Sequence, residues 1–114
     1  MNRDDAIQSR VIFERMTPSE FKSSLTGAAP PSNLTAPLKA LWWAGKGDWE
    51  KAHKIVMYDE SREAAWLHAY LHRVEGDLPN ARYWYGQAKR AAATGALEAE
   101  WAAVSADLLV NNPG

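Results

Sequence analysis

Residues 47–52 read GDWEKA, and residues 76–81 repeat that pattern in altered form as GDLPNA. In each copy a glycine can end one helix and the aspartate after it can cap the next. The alanine that closes each copy is small enough for two helices to pack closely at that point. The repeated stretch therefore predicts two tandem helical hairpins.

Helix-start and helix-stop residues extend this prediction along the chain. A short helix is expected after Thr17, because Pro18 suits the first helical turn and Glu20 can complete a capping box. Gly27 should end that helix. Four hairpin helices are then expected from Leu34 onward, the last of them ending at Thr94-Gly95, and a final helix over Ala96–Val110.

The predicted fold class is therefore all-α: two tandem antiparallel helical hairpins with N- and C-terminal capping helices. We divide the chain into an N-terminal arm with a short helix (1–33), a helical-hairpin repeat domain with its C-terminal cap (34–110), and a frayed tail (111–114). The arm contains a short apolar group that suits either a short amphipathic helix or a loosely held arm, formed by Ile7, Val11, Ile12 and Phe13.

Composition restricts the classes of function. The net charge is −1, which disfavours a protein that binds nucleic acid or a membrane surface mainly through charge. The chain has no cysteine, so disulfides and thiolate chemistry are excluded, and a reducing, cytoplasmic location is expected. No apolar run approaches the roughly 20 residues that a membrane-spanning helix needs. We therefore expect neither a nucleic-acid nor a membrane partner.

The spacing of small residues around the two copies resembles the tetratricopeptide pattern, in which small side chains stand where the two helices of a hairpin cross. Val56 and Tyr85 would fill the equivalent large position. The period is shorter than the roughly 34 residues of that family, and Ser105 stands where a third copy would begin. The matching small residues are Ala40, Gly47, Ala52, Ala69, Gly76, Ala81 and Ala88.

The segment Leu41–Tyr85 is also similar to a family of small, uncharacterised bacterial proteins. The resemblance implies no activity, since none is known for that family. The shared sequence segments are ALW (40–42), GDW (47–49), AH (52–53), HAYLHR (68–73), EGD (75–77) and NARYWY (80–85).

Two histidines form the sharpest candidate site. His68 and His72 are four residues apart on one predicted helix, so both imidazoles point to the same side. His53 could add a third nitrogen, and Glu75, Asp48 or Asp77 an oxygen, which would suit zinc. The alternative is that His68 and His72 form hydrogen bonds inside the hairpin. A metalloprotease is excluded, because Ala69 stands where its glutamate base would be.

Aromatic residues form the second candidate. Tyr83 beside Arg82 has the composition of a binding hot spot. Trp84 is expected to pack under the last helix against Trp101, whereas Ala81 and Tyr85 should face into the hairpin. They belong to the apolar stripe of the fourth helix, which consists of Leu78, Ala81, Tyr85 and Ala88.

The first hypothesis is a non-catalytic binding or scaffold module, whose aromatic- and His-lined helical surface meets a protein or peptide partner or a second copy of the chain. No catalytic residue and no cofactor are expected under it. The alternative is a small-molecule or divalent-metal site, possibly enzymatic, centred on His68 and His72. The candidate binding residues are His53, His68, His72, Asp48, Trp49, Tyr83, Tyr85 and Arg82.

Overall fold

A computed structural model describes residues 16–110 and 112. Within them the chain is all-helical and contains no strand. The predicted apolar group of the arm at residues 7–13 lies outside the described residues. The helices are α1 (Pro18–Ser23), continued by a 3₁₀ turn (Ser24–Thr26), α2 (Ala36–Gly45), α3 (Trp49–Val56), α4 (Arg62–Val74), α5 (Leu78–Ala88) and α6 (Leu97–Val110).

The two Gly-Asp turns have the same geometry, as their sequence similarity predicts. Gly47 and Gly76 adopt φ of 85° and 84°, a left-handed conformation that a side chain would strain. Asp48 then accepts from the amide of Lys51 at 3.1 Å, and Asp77 from that of Asn80 at 3.3 Å. Each turn therefore ends one helix and caps the next one.

The helices pack as two antiparallel hairpins. α2 packs along α3 and α4 along α5, while α3 also contacts α4 and so joins the hairpins. The last helix, α6, lies against α2, α4 and α1, as expected of a C-terminal cap. Fully buried side chains from α1, α2 and α4 form the centre of the core: Phe21, Leu38, Leu41, Trp42, Leu67 and Leu71.

Three predictions about local structure are wrong. α5 ends at Ala88 rather than at Thr94-Gly95, because Lys89 takes the left-handed conformation (φ 59°) and closes the helix. Leu78, in the predicted apolar stripe of that helix, is half-exposed rather than buried. Asn112 is not frayed but buried, and it bonds to the Thr35 amide and the Asn33 carbonyl. The other tail residues lie outside the described part of the chain.

Across residues 16–110, every helix is too short or too polar to cross a membrane.

Candidate functional site

Three imidazoles meet where the first hairpin joins the second. His53 comes from α3, while His68 and His72 lie one turn apart on α4. The Nε2 atoms of His53 and His68 are 3.1 Å apart. One ring nitrogen from each of the three side chains lies within 4.8 Å of the others. We call these three residues the histidine cluster.

Two tryptophans enclose the histidine cluster. Trp49 stacks on His53 with 4.7 Å between ring centroids, and its indole N–H donates to the Leu71 carbonyl at 2.7 Å. Trp84, from α5, stacks on His68 at 4.0 Å. The His68 and His72 rings are parallel, 5.6 Å apart. The imidazoles therefore have little rotational freedom.

His72 is oriented by polar neighbours. Its Nδ1 lies 2.6 Å from Glu75 Oε1, so this nitrogen carries a proton and donates it to the carboxylate. Its Nε2 lies 3.4 Å from the side-chain amide nitrogen of Asn80. That second contact is too long for a strong hydrogen bond.

The hydrogen-bonding capacity of His68 is only partly used. Its side chain is buried, with 4% of its surface exposed, and its Nδ1 has no hydrogen-bond partner among the described residues. Nδ1 is unpaired in either neutral tautomer, because Nε2 is the atom that meets His53. A buried polar atom without a partner costs about 1–3 kcal/mol.

The surroundings favour the neutral form of two of the three imidazoles, His53 and His68. Burial, followed by the nearby charges of His53 and His72, lowers the pKa of His68 from 6.5 to about 4. Burial is also the largest cause that lowers the pKa of His53, followed by the charge of His72. Near pH 7 both side chains are therefore neutral imidazoles, each with one N–H and one lone pair.

Tyr85 belongs to a different cluster, on the other side of α4. Its hydroxyl donates to buried Glu100 at 2.6 Å, and Glu100 also accepts from Trp66 Nε1 at 3.3 Å and Arg73 Nη1 at 2.7 Å. Burial and then the hydrogen bond to Glu100 raise the pKa of Tyr85 well above 10. We call these four residues the Glu100 cluster.

Sequence reasoning did not identify Glu100, although a signal was present. Glu100 follows Leu97 by three residues and precedes Val104 by four, so it falls within the apolar stripe of α6. A carboxylate in that position needs buried donors.

The remaining predicted site residues lie outside the histidine cluster. Asp48 caps α3, Arg82 is exposed, and Tyr83 is exposed with its ring edge-on to Trp84 at 5.1 Å. The predicted packing of Trp84 against Trp101 is wrong. Trp101 instead stacks on Phe21 at 5.4 Å, because α1 rather than α5 covers that part of α6.

Trp84 also borders an open groove between the α3–α4 turn and α5. The groove has a volume of about 500 Å³. Three of its side chains are large, apolar and exposed: Tyr58 (86%), Tyr83 (57%) and Met57 (40%). We call it the aromatic groove. Its other lining residues are Asp59, Glu60, Ser61, Ala65, Trp84 and Gln87.

Comparisons with protein-family models, curated proteins and solved structures found no match for this chain. Any function must therefore be argued from the chemistry of the clusters and the groove.

Proposed function

We propose that the protein is a non-catalytic binding module whose aromatic groove holds a short segment of a protein partner. The observation that carries this proposal is the grouping of exposed apolar side chains. Met57, Tyr58 and Tyr83 are three of the six large apolar side chains exposed within residues 16–110, and all three line one groove. Exposed apolar groups that gather in one place are typical of interaction sites.

The chemistry of the groove suggests what its partner carries. Tyrosine and tryptophan supply large contact areas and often dominate the energy of an interface, and methionine adapts its shape to a ligand. Asp59 and Glu60 add two carboxylates, and the described lining includes no lysine, arginine or histidine. The fitting occupant is therefore a lysine or arginine beside an apolar side chain, since a cation can interact with both the carboxylates and the aromatic rings.

Other sequence-based expectations stay predictions beside this proposal. They are the tetratricopeptide-like relationship, the resemblance to small bacterial proteins and a cytoplasmic location. A second copy of the chain is the other possible occupant of the groove. A sedimentation measurement at two protein concentrations would detect it as a mass that rises with concentration.

The proposal can be tested with peptides selected from a random phage-displayed library. We expect the selected peptides to be rich in lysine or arginine beside apolar residues. Tyr83→Ser and Tyr58→Ser should each weaken the binding of a selected fluorescent peptide by about tenfold or more, which equals 1.4 kcal/mol. Leu78→Ser is the matched control, because Leu78 is half-exposed but does not line the groove.

Two results would reject the groove as the binding site. One is a selected peptide that binds both tyrosine variants as tightly as the unmodified protein. The other is an equal loss of binding in the Leu78→Ser control, which would place the contact elsewhere.

A further inference from the structure

We propose that His53, His68 and His72 bind one divalent first-row transition-metal ion, with Zn²⁺ as the reference ion, through three imidazole nitrogens. This site is separate from the aromatic groove, and the inference does not depend on the groove binding a partner.

The separation of the imidazoles suits a shared metal ion. Zinc–nitrogen bonds of about 2.0–2.1 Å at tetrahedral angles place two ligand nitrogens roughly 3.3 Å apart. The Nε2 atoms of His53 and His68 are 3.1 Å apart. One nitrogen of His72 lies within 4.8 Å of a nitrogen of each of the other two histidines, so His72 must move closer to share the ion. Three protein ligands leave the fourth position of a tetrahedral ion open to water.

The ligand chemistry selects the class of metal. Three neutral imidazoles suit zinc, copper and nickel, whereas calcium and magnesium prefer oxygen ligands. The chain has no cysteine that could add a thiolate. The lowered pKa values of His53 and His68 are consistent with this assignment, because the neutral imidazole is the form that donates a lone pair.

Glu75 supplies the outer contact that metal-binding histidines usually have. Its carboxylate accepts the Nδ1 proton of His72, which leaves Nε2 as the nitrogen available to a metal. Such carboxylate–histidine pairs fix the tautomer and the orientation of the ring. The long contact from Asn80 to Nε2 is weak enough for a metal ion to displace.

A purely structural role explains His68 less well. Its buried Nδ1 is unpaired, so an apolar side chain of similar size would fill the same space without leaving a polar atom unsatisfied. A ligand that bonds to Nε2 would explain why an imidazole, rather than an apolar side chain, occupies position 68.

The same unpaired nitrogen also limits the affinity. With a metal on Nε2, the proton of His68 must sit on Nδ1, where no acceptor contacts it. Loss of such an outer contact usually weakens metal binding by about 10–100-fold, so zinc should bind more weakly than at a site whose histidines all have partners.

A competing site uses other atoms of the same region. His72, Glu75 and Asp77 also bring one ligand atom each within 4.8 Å, but both carboxylates are exposed. The two sites share His72 and differ in their other members, so variants can separate them. His53→Ala damages only the histidine cluster. Asp77→Asn damages only the competing site and keeps a side chain that can cap α5.

The test is a zinc titration of protein without a polyhistidine tag, in competition with a chromophoric chelator. We expect one zinc ion per chain and a loss of affinity of about 100-fold in His53→Ala and His68→Phe. Asp77→Asn and Tyr83→Ser should bind zinc normally. Far-ultraviolet circular dichroism of each variant shows whether it is folded, and His53→Ala is the cluster variant least prone to misfold, because His53 is partly exposed.

A Co²⁺ titration gives a second readout, since a tetrahedral imidazole site produces visible absorption that His53→Ala should remove. The inference is overturned if the folded, unmodified protein shows no saturable zinc binding. It is also overturned if His53→Ala binds zinc normally while Asp77→Asn does not.

Discussion

Within residues 16–110, two buried polar clusters lie on opposite sides of α4, and they are built differently. In the Glu100 cluster, one carboxylate accepts from Tyr85, Trp66 and Arg73, so each oxygen has at least one donor. In the histidine cluster, three imidazoles face one another, and Nδ1 of His68 has no hydrogen-bond partner in the described part of the chain.

This difference distinguishes a cluster that supports the fold from one that we propose as a binding site. The Glu100 cluster ties α4, α5 and α6 together with complementary donors and acceptors, which is what a structural network requires. The histidine cluster brings three imidazoles together and leaves Nδ1 of His68 without a partner among the described residues. We propose that this group binds a metal ion, because a polar atom buried without a partner is costly in a purely structural network.

The largest expected effect is the loss of the Glu100 charge. Glu100→Gln leaves the guanidinium of Arg73 largely buried beside a neutral amide, because only 11% of the Arg73 side chain is exposed. Removal of one partner from a buried ion pair costs about 3–5 kcal/mol. Thermal unfolding should show a clear fall in midpoint, and exposed Glu98→Gln is the matched control. Equal midpoints for the two variants would contradict a supporting role for Glu100.

We expect acid to lower the stability of the metal-free protein through protonation of the histidine cluster. His68 has a pKa of about 4 when folded and 6.5 as the reference value. Between those values the unfolded chain binds more protons, so the stability contribution is complete above pH 6.5 and is lost as the pH falls toward 4. A pKa that differs by one between the folded and unfolded chain changes the free energy of unfolding by about 1.4 kcal/mol at most.

The carboxylates of a protein also titrate near this range. The test is therefore the difference in free energy of unfolding between the unmodified protein and His68→Phe, measured by denaturant titration at several pH values. We expect His68→Phe to gain stability relative to the unmodified protein as the pH falls. A difference that stays constant from pH 7 to pH 4 would show that His68 does not titrate as expected.

At pH 7 and without metal, His68→Phe itself should change stability little. The phenyl ring can stack on Trp84 as the imidazole does, and the unpaired Nδ1 disappears. His53 loses a partner but is partly exposed, so water can replace it. We expect a change within about 1.5 kcal/mol, because removal of the unpaired atom offsets the cost of the somewhat larger ring. A loss of stability as large as that of Glu100→Gln would show that the histidine cluster, like the Glu100 cluster, supports the fold.

The smallest expected effect is at the groove. Tyr83→Ser should alter the free energy of unfolding by no more than about 0.5 kcal/mol, because substitutions at exposed positions seldom do more. Chemical denaturation of this variant checks that any loss of peptide binding reflects a missing contact. A strongly destabilised variant would show that Tyr83 supports the fold.

The repeated Gly-Asp stretch predicted the hairpins because its signals are local. Gly47 and Gly76 need only their own left-handed conformation, and Asp48 and Asp77 reach amides three residues away. The end of α5 was not predicted, since Lys89 adopts a conformation that is usual for glycine or asparagine at the end of a helix.

The sequence predicted those features of the two clusters that depend on the geometry of a single helix, and not those that depend on how helices pack. The i, i+4 spacing of His68 and His72 placed both rings on one face, but the approach of His53 depends on how α3 packs on α4. Periodicity also showed that Tyr85 is buried. It could not show that Tyr85 faces Glu100 on α6 rather than the imidazoles, because that choice depends on tertiary packing.

The most direct test of the distinction between the clusters is ¹⁵N NMR of the imidazole nitrogens at neutral pH, before and after one equivalent of zinc. In the metal-free protein, His53 and His68 should give the pattern of neutral rings. Added zinc should then shift one nitrogen of each of the three histidines to a metal-bound position, while the Tyr85–Glu100 contact is unchanged. Imidazole signals that do not respond to zinc would contradict the assignment of the histidine cluster as a metal site.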